Sequence, residues 1–195
     1  MFKNVLNLSA VLLGVGAANA GLIPTDLTVI KEGDGGAYRF TYSVDLQSKG
    51  VLQPGDFFTI YDFAGRVDGT ELQPANFHFS SATSGPTPAQ VTAKDDPAVS
   101  NLTWTYTGTG PITGDAFLGE FSAVSAYRNT RSDDFTGQSH KEDVGGHFNN
   151  NITDTVVPVP SGVPEPPAWM LAAVAAAGLA GYGWRRRAAK AGGLV

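Results

Sequence analysis

The sequence predicts an all-β fold for the body of the chain, an antiparallel β-sandwich or jelly roll. In residues 37–47, apolar side chains alternate with polar ones, as in a strand with one buried face. Similar short segments recur along the body, separated by Gly-rich and Pro-rich breaks such as "EGDGGA" and "TSGPTPAQ". No segment with a helical period lies between them, which favours an antiparallel sandwich over a parallel sheet.

Seven segments of the body are candidate strands. The pattern is clearest in 37–47, in the apolar run 57–63, and in 101–109, where Leu102, Trp104 and Tyr106 alternate with threonines. The continuous run 57–63 predicts a strand that is buried on both faces. Trp104 and Tyr106 share the face of Leu102, which predicts a place in the core rather than a sugar-stacking surface. The other candidate strands are 27–30, 76–79, 90–93 and 117–127.

The composition limits both the size and the chemistry of the protein. A chain of 195 residues allows one ordinary domain with accessory segments. The absence of cysteine excludes disulfides, thiolate zinc sites and a cysteine nucleophile. Charge is unevenly distributed, because residues 21–163 hold 17 acidic and 8 basic side chains, a net charge of −9. Such an acidic body argues against nucleic acid as a partner, since Lys and Arg supply those contacts.

The first twenty residues have the pattern of a secretory signal peptide. Lys3 precedes a short apolar stretch, and Ala18 and Ala20 form an Ala-x-Ala ending. Cleavage after Ala20 would leave Gly21 as the first residue of the exported chain. The Sec translocon and signal peptidase are therefore expected partners, and a buried first helix is the alternative interpretation.

The carboxyl end has the pattern of a membrane span. Residues 167–184 contain no charge, and as a helix of about 1.5 Å per residue they would cover about 27 Å, close to the hydrocarbon core of about 30 Å. Arg185, Arg186 and Arg187 follow at once and predict a stop on the cytoplasmic side. The body would then lie on the other side of the membrane.

A proline-rich tetrapeptide precedes this span. It consists of Val163, Pro164, Glu165 and Pro166. The prolines, together with Pro167, lack amide hydrogens and keep the preceding residues extended, so Glu165 is expected in an open segment that a processing enzyme can reach.

This order of tetrapeptide, apolar span and arginine cluster closely resembles the PEP-CTERM sorting signal of Gram-negative bacteria. The resemblance covers about the last 25 to 30 residues, and phrases of the body such as "GDFFTIYDFAG" are also similar to those of PEP-CTERM surface proteins. It implies recognition by exosortase, processing near the motif and delivery to the cell surface. It also implies an association with exopolysaccharide and biofilm production.

The expected organisation of the chain has five parts. They are a signal peptide at 1–20, an extracytoplasmic β-sandwich domain at 21–148, a linker at 149–162, the sorting signal at 163–187, and a cytoplasmic tail at 188–195. Before processing, the chain is expected to be anchored in the inner membrane by 167–184, and afterwards to lie at the surface or outside the cell.

Two groups of polar residues are candidate metal ligands. The segment "HKEDVGGH", with His140 and His147, has a spacing that fits no established transition-metal pattern, so a polar loop is favoured, and His78 could join it only through the fold. The pairs Asp95–Asp96 and Asp133–Asp134 supply oxygen ligands of the kind calcium prefers. Turn and cap roles are the commoner use of such aspartates, so no cofactor is predicted, and calcium is the alternative.

No catalytic constellation stands out. A Gly-x-Ser-x-Gly elbow is absent. Glu120 and Asp115 could form a glycosidase pair, but an outward-facing strand carboxylate is the commoner role for Glu120. The leading hypothesis is a non-enzymatic surface protein, adhesive or glycan-binding, and the alternative is a secreted polysaccharide hydrolase. Carboxylates gathered in one aromatic-lined cleft would favour the hydrolase.

Overall fold

A computed structural model describes residues 8–11, 21–142 and 148–162 of the chain. The described residues form strands and turns, without a helix. The strands are β1 (Leu8–Val11), β2 (Leu22–Glu32), β3 (Ala37–Leu46), β4 (Gly50–Leu52), β5 (Phe57–Ile60), β6 (Arg66–Leu72), β7 (Phe77–Ala82), β8 (Asn101–Tyr106), β9 (Ile112–Thr113), β10 (Ala116–Ser125), β11 (Thr130–Glu142) and β12 (Phe148–Pro160).

The strands form two antiparallel sheets, which confirms the predicted all-β class. The first sheet has the order β1-β2-β3-β10-β6. In the second sheet β7, β8, β5 and β11 are successive neighbours, β4 also pairs with β11 and with β9, and β12 pairs with the other edge of β11. Every pairing between these strands is antiparallel.

The apolar residues that alternate with polar ones along β3 form one side of the core. On β3, Phe40, Tyr42, Val44 and Leu46 are at most 1% exposed, whereas the side chains between them are only half-buried. Because successive strand residues point to opposite faces, this pattern turns one face of the first sheet toward the second. Trp104 and Tyr106 are buried in the same core, as predicted.

Phe121 on β10 joins the cores of the two sheets. Its ring centroid lies 4.8 Å from those of Phe58 and Phe77 and 5.6 Å from that of Trp104. The three partners belong to the second sheet. The angles between these rings, from 65° to 88°, give the edge-to-face geometry that aromatic pairs prefer.

The prediction that residues 57–63 are buried on both faces is confirmed. Thr59 and Tyr61 point away from Phe58 and Ile60, yet all four are fully buried. The loop 83–100 covers this outer side, where Thr59 Oγ1 donates to the carbonyl of Pro86 at 2.9 Å and the Tyr61 hydroxyl lies 2.6 Å from that of Thr87.

The prediction of a strand over 90–93 is wrong. These residues belong to the covering loop, where the amide of Val91 donates to the carbonyl of Pro88 at 3.2 Å. Gln90 has a φ of 80°, which lies outside the strand region. The alternation of Val91 and Ala93 with polar neighbours was too short to indicate a strand.

The predicted linker at 149–162 is also wrong over most of its length. Residues 149–160 lie in β12, which pairs with β11 from Thr130↔Pro160 to Glu142↔Phe148. Val157 and Val159 are fully buried. β12 is an edge strand, and this is the position in a sheet where prolines such as Pro158 and Pro160 are tolerated.

Four residues of the predicted signal peptide lie within the described ranges, and they form β1. Leu8–Val11, inside the predicted signal peptide, pair with β2 from Leu8↔Val29 to Val11↔Asp26. The described ranges contain no helix that could cross a bilayer. The predictions outside the described residues are the cleavage residues Ala18 and Ala20, the motif 163–166, the span 167–184, the arginines 185–187 and the tail 188–195.

Candidate functional site

Five aspartates converge at one end of the second sheet, and we call this cluster the acidic corner. It consists of Asp62 after β5, Asp95 and Asp96 in the loop 83–100, and Asp133 and Asp134 on β11, together with Arg131 and Asn101. The two aspartate pairs that the sequence marked as calcium candidates are therefore brought together. The fold does this by laying the loop beside β11.

Asp62 lies at the centre of the acidic corner. It is 6% exposed and has a φ of 53°, a left-handed conformation that Asp adopts more readily than most residues. Its Oδ1 accepts the amide of Asp96 at 2.9 Å, and its Oδ2 lies 3.0 Å from Nη2 of Arg131. Its own amide donates to Oδ1 of Asn101 at 2.8 Å.

The remaining aspartates attach to this centre through three further contacts. The same Nη2 of Arg131 lies 2.9 Å from Oδ2 of Asp133. Asp134 Oδ2 accepts the amide of Lys94 at 2.6 Å, and Asn101 Nδ2 donates to Asp95 Oδ1 at 2.9 Å. The loop is thereby fixed to β11 and to β8.

The electrostatics of the acidic corner follow from these contacts. Burial raises the pKa of Asp62 above its ordinary value, and the carboxylates of Asp133 and Asp95 raise it further. The amide of Asp96 and the guanidinium of Arg131 act in the opposite direction. The acidic corner holds five carboxylates and the one guanidinium of Arg131, whose side chain is 44% exposed, so it has excess negative charge, which favours a cation.

Most of the oxygen atoms that a cation would need are already hydrogen-bonded. Asp96 Oδ1 accepts the amide of Ala98 at 3.0 Å, a turn-stabilising contact that confirms the turn role considered from the sequence. Across the described part of the chain, no group of three or more His, Asp or Glu side chains is arranged to hold a metal ion.

His140 forms a second buried polar contact, with Asp56. Its Nδ1 lies 2.9 Å from Oδ2 of Asp56, which also accepts the amide of Gln53 at 2.7 Å. Asp56 is 1% exposed, and burial raises its pKa, whereas its hydrogen bonds from Gln53 and His140 lower it. The pair links β11 to the turn between β4 and β5.

The histidine cluster considered from the sequence is not assembled by the described residues. His78 lies on β7, three strands from His140 on β11, which corresponds to about 14 Å at the usual strand spacing. Two histidines that share a zinc ion are each bound at about 2.1 Å, so this separation is too large. Glu142 ends β11, and Asp143 and His147 lie outside the described residues.

Glu120 and Asp115 are both exposed to solvent. Glu120 lies on β10 opposite Ser43, on the outer face of the first sheet, next to a bulge at Gly119. Asp115 has a φ of 49° in the turn before β10. The outward orientation expected of Glu120 is therefore confirmed.

Sequence reasoning missed the residues that organise these sites. Asp62, Arg131 and Asn101 connect the acidic corner, and Asp56 fixes His140. A weak signal existed at Asp62, since it is the one charged residue in the buried run 57–63. The side-chain and amide contacts of Asp62 join it to residues 34 to 69 positions away, and His140 is 84 positions from Asp56.

Comparison with known proteins gives no further guidance, because no family model, curated protein or solved structure matches this chain.

Proposed function

We propose that this protein is exported, is sorted by exosortase through residues 163–187, and is delivered to the cell surface or extracellular matrix. The observation that carries the proposal is the order of the Pro-Glu-Pro motif, the uncharged span 167–184 and the arginines 185–187. The predicted signal peptide at the other end supplies the required entry into the Sec translocon.

The test of export is the amino terminus of the mature chain. Protein recovered from the envelope of the native host should begin at Gly21, because signal peptidase cleaves after the Ala18-x-Ala20 site. Cleavage would also remove Leu8–Val11 from the edge of β2. Recovery of chains that still begin at Met1 would contradict the proposal.

For the body we propose a non-enzymatic role, adhesive or glycan-binding, in association with exopolysaccharide. The placement of the candidate catalytic groups supports it. Glu120 lies on an open sheet face, Asp115 lies in an exposed turn, and Trp104 is fully buried in the core. A glycosidase needs its two carboxylates on either side of a bound sugar, which favours the binding role over the polysaccharide hydrolase.

The body's role is tested with the polymer of the native host. Purified protein should sediment together with the host's exopolysaccharide and release no reducing ends from it. Release of reducing sugar that is lost in a Glu120→Gln variant would favour the hydrolase instead.

A further inference from the structure

Cleavage of the predicted signal peptide would leave one edge of the first sheet without a neighbouring strand. β1 is the outermost strand of that sheet, and its four residues pair with β2 from Leu8↔Val29 to Val11↔Asp26. They precede the predicted cleavage site after Ala20. In the exported chain β2 would therefore be the edge strand, and its backbone groups that face β1 would lose their hydrogen bonds.

The exposed edge of β2 would have an apolar character. Its inward side chains Leu27 and Val29 are 2% and 8% exposed with β1 in place. Proline, a bulge or charge commonly prevents an edge strand from accepting another strand. In β2 the proline and the bulge lie at Pro24 and just before Asp26. The segment 26–30 is therefore the part of this edge that can pair.

The strand that occupies this edge in the structure resembles β2 in sequence. Residues 8–11 are Leu-Ser-Ala-Val, and residues 27–30 are Leu-Thr-Val-Ile. Both segments are apolar at the first, third and fourth positions, and both have a hydroxyl residue at the second. A second copy of residues 27–30 would therefore offer β2 the same kinds of residue in the same antiparallel register.

That register is symmetric. If residues 27–30 of a second copy take the places of residues 8–11, Thr28 lies opposite Thr28 and Leu27 lies opposite Val29, in both directions. Asp26 lies opposite Ile30, so no like charges face each other. Because the two copies make identical contacts, the pairing meets the condition for a closed two-fold dimer.

We propose that removal of the signal peptide frees the edge of β2 for a second copy of this chain, and that the two copies pair antiparallel through residues 26–30 about a two-fold axis at Thr28. The inference rests on the proposed export and on cleavage after Ala20. The dimer joins the two first sheets into one continuous sheet. Main-chain hydrogen bonds supply the affinity, and the alternation of apolar and polar side chains sets the register.

A single introduced cysteine tests the register, because the chain has no cysteine of its own. Directly opposite residues of an antiparallel pair have Cα atoms about 4.5–5.5 Å apart, a distance that a disulfide spans. Chains of residues 21–195 carrying Thr28→Cys, in detergent micelles under mild oxidation, should form a disulfide-linked dimer. Ile30→Cys is the control on the same strand. The two Ile30 residues would lie four positions apart, about 14 Å, and should not link.

The uncleaved chain is a second control. Ala20→Phe places a bulky residue where the cleavage site requires a small one, so residues 1–20 are retained. Thr28→Cys in this background should give no linked dimer, because β1 occupies the edge of β2. Both chains share residues 163–195, so any association through that segment is the same in both.

A charge at the two-fold axis tests the pairing without a covalent bond. Thr28 is half-buried on β2, and Thr28→Lys would place two lysines directly opposite each other, which destabilises a strand pair. Analytical ultracentrifugation should show that dimerisation of the 21–195 chain is weakened at least tenfold. Thr113→Lys makes the same change at an exposed position of β9 and should leave the dimer intact. Both variants should melt near the temperature of the parent chain.

The outcomes separate this inference from the proposed export. If the 21–195 chain is monomeric, or if Ile30→Cys links as efficiently as Thr28→Cys, the inference is wrong, whereas export stands as long as envelope protein begins at Gly21. If envelope protein instead begins at Met1, the cleavage step fails, and the release of the β2 edge fails with it.

Discussion

Phe121 and Phe117 lie four residues apart on β10 in opposite environments. Phe121 is fully buried and contacts three aromatic rings of the opposite sheet. Phe117 is 64% exposed. Alanine variants of these two residues therefore distinguish the effect of core packing on stability from the effect of removing any aromatic residue from the same strand.

Phe121→Ala should lower the free energy of unfolding by about 3–5 kcal/mol, because it removes the contact surface and leaves a cavity between the sheets. Phe117→Ala should change it by less than about 0.5 kcal/mol. Urea unfolding of both variants measures the difference. Equal losses would show that Phe121 does not join the two sheets in solution.

Asp56, which pairs with His140, makes the free energy of unfolding depend on pH with a sign that is unusual for an aspartate. Burial raises the pKa of Asp56 in the folded chain, while an unfolded Asp titrates near pH 3.9. Between these two pKa values the folded state binds more protons, so this residue makes the free energy of unfolding fall as pH rises through that window. Below a pH of about 3.9, the stabilisation that Asp56 gives to the folded state is fully present.

Asp56→Asn keeps an oxygen acceptor for the Gln53 amide but cannot titrate, so it should remove this fall. Thermal unfolding between pH 3 and 7 measures it. Asp34→Asn, which removes the same charge from an exposed turn, is the control. A stability profile that is the same in Asp56→Asn as in the wild type would contradict the assignment.

Individual core residues could be predicted and individual site residues could not. Phe40, Tyr42 and Val44 were assigned correctly because burial follows from local alternation. The role of Asp62 depends on Asp96 and Arg131, which come from another loop and another strand. Local patterns carry no information about such distant partners.

At the scale of elements, β11 and β12 form the largest feature that the sequence did not indicate. Their inward positions include Gly137 and Ser139, which have little apolar character. A Cβ at Gly137 would lie 3.2 Å from Leu22 Cδ1 and 3.5 Å from Phe58 Cβ, so a side chain there would require Leu22 to shift by a few tenths of an ångström. Three asparagines at the start of β12 are also poor strand formers.

Removal of β12 should unfold the body. A chain covering 21–147 would expose the core around Phe135 and lose the buried Val157 and Val159, together with the Tyr42 hydroxyl's hydrogen bond to the Pro158 carbonyl. A chain covering 21–162 is the control. Far-ultraviolet circular dichroism and a melting curve should show a cooperative β-fold for the longer chain alone. A cooperative transition in both would restore the linker interpretation.

The acidic corner joins the loop 83–100 to β11, and calcium should stabilise that contact. Burial raises the pKa of Asp62, and repulsion from the carboxylates of Asp133 and Asp95 adds to the rise; a bound cation would relieve that repulsion. Millimolar calcium should raise the melting temperature by mass action, and Asp95→Asn with Asp133→Asn should abolish the increase. If calcium does not raise the melting temperature of the wild type, the prediction of calcium binding is wrong.

For the whole molecule, the sequence predicts different features of the ends and of the body. The ends are interpreted from composition and order, since a charge-free run of 18 residues beside three arginines has a direct physical meaning in a bilayer. The fold class of the body was predicted from the same kind of periodic signal. Its sites were not, because they depend on side chains that only the completed fold brings together.

We propose that a membrane enzyme recognises residues 163–166, whereas the span 167–184 and the arginines 185–187 hold the chain in the membrane. Glu165→Ala should leave insertion intact and block processing. Arg185, Arg186 and Arg187 replaced together should instead weaken the stop and disturb topology. These two defects separate recognition from anchoring.

The most direct measurement is an immunoblot of membrane and medium fractions from the native host, for the wild type and both variants. We expect full-length Glu165→Ala protein to accumulate in the membrane fraction, while the wild type is processed and leaves that fraction. If Glu165→Ala protein is released from the cell as efficiently as the wild type, residues 163–187 are a membrane anchor and not a sorting signal.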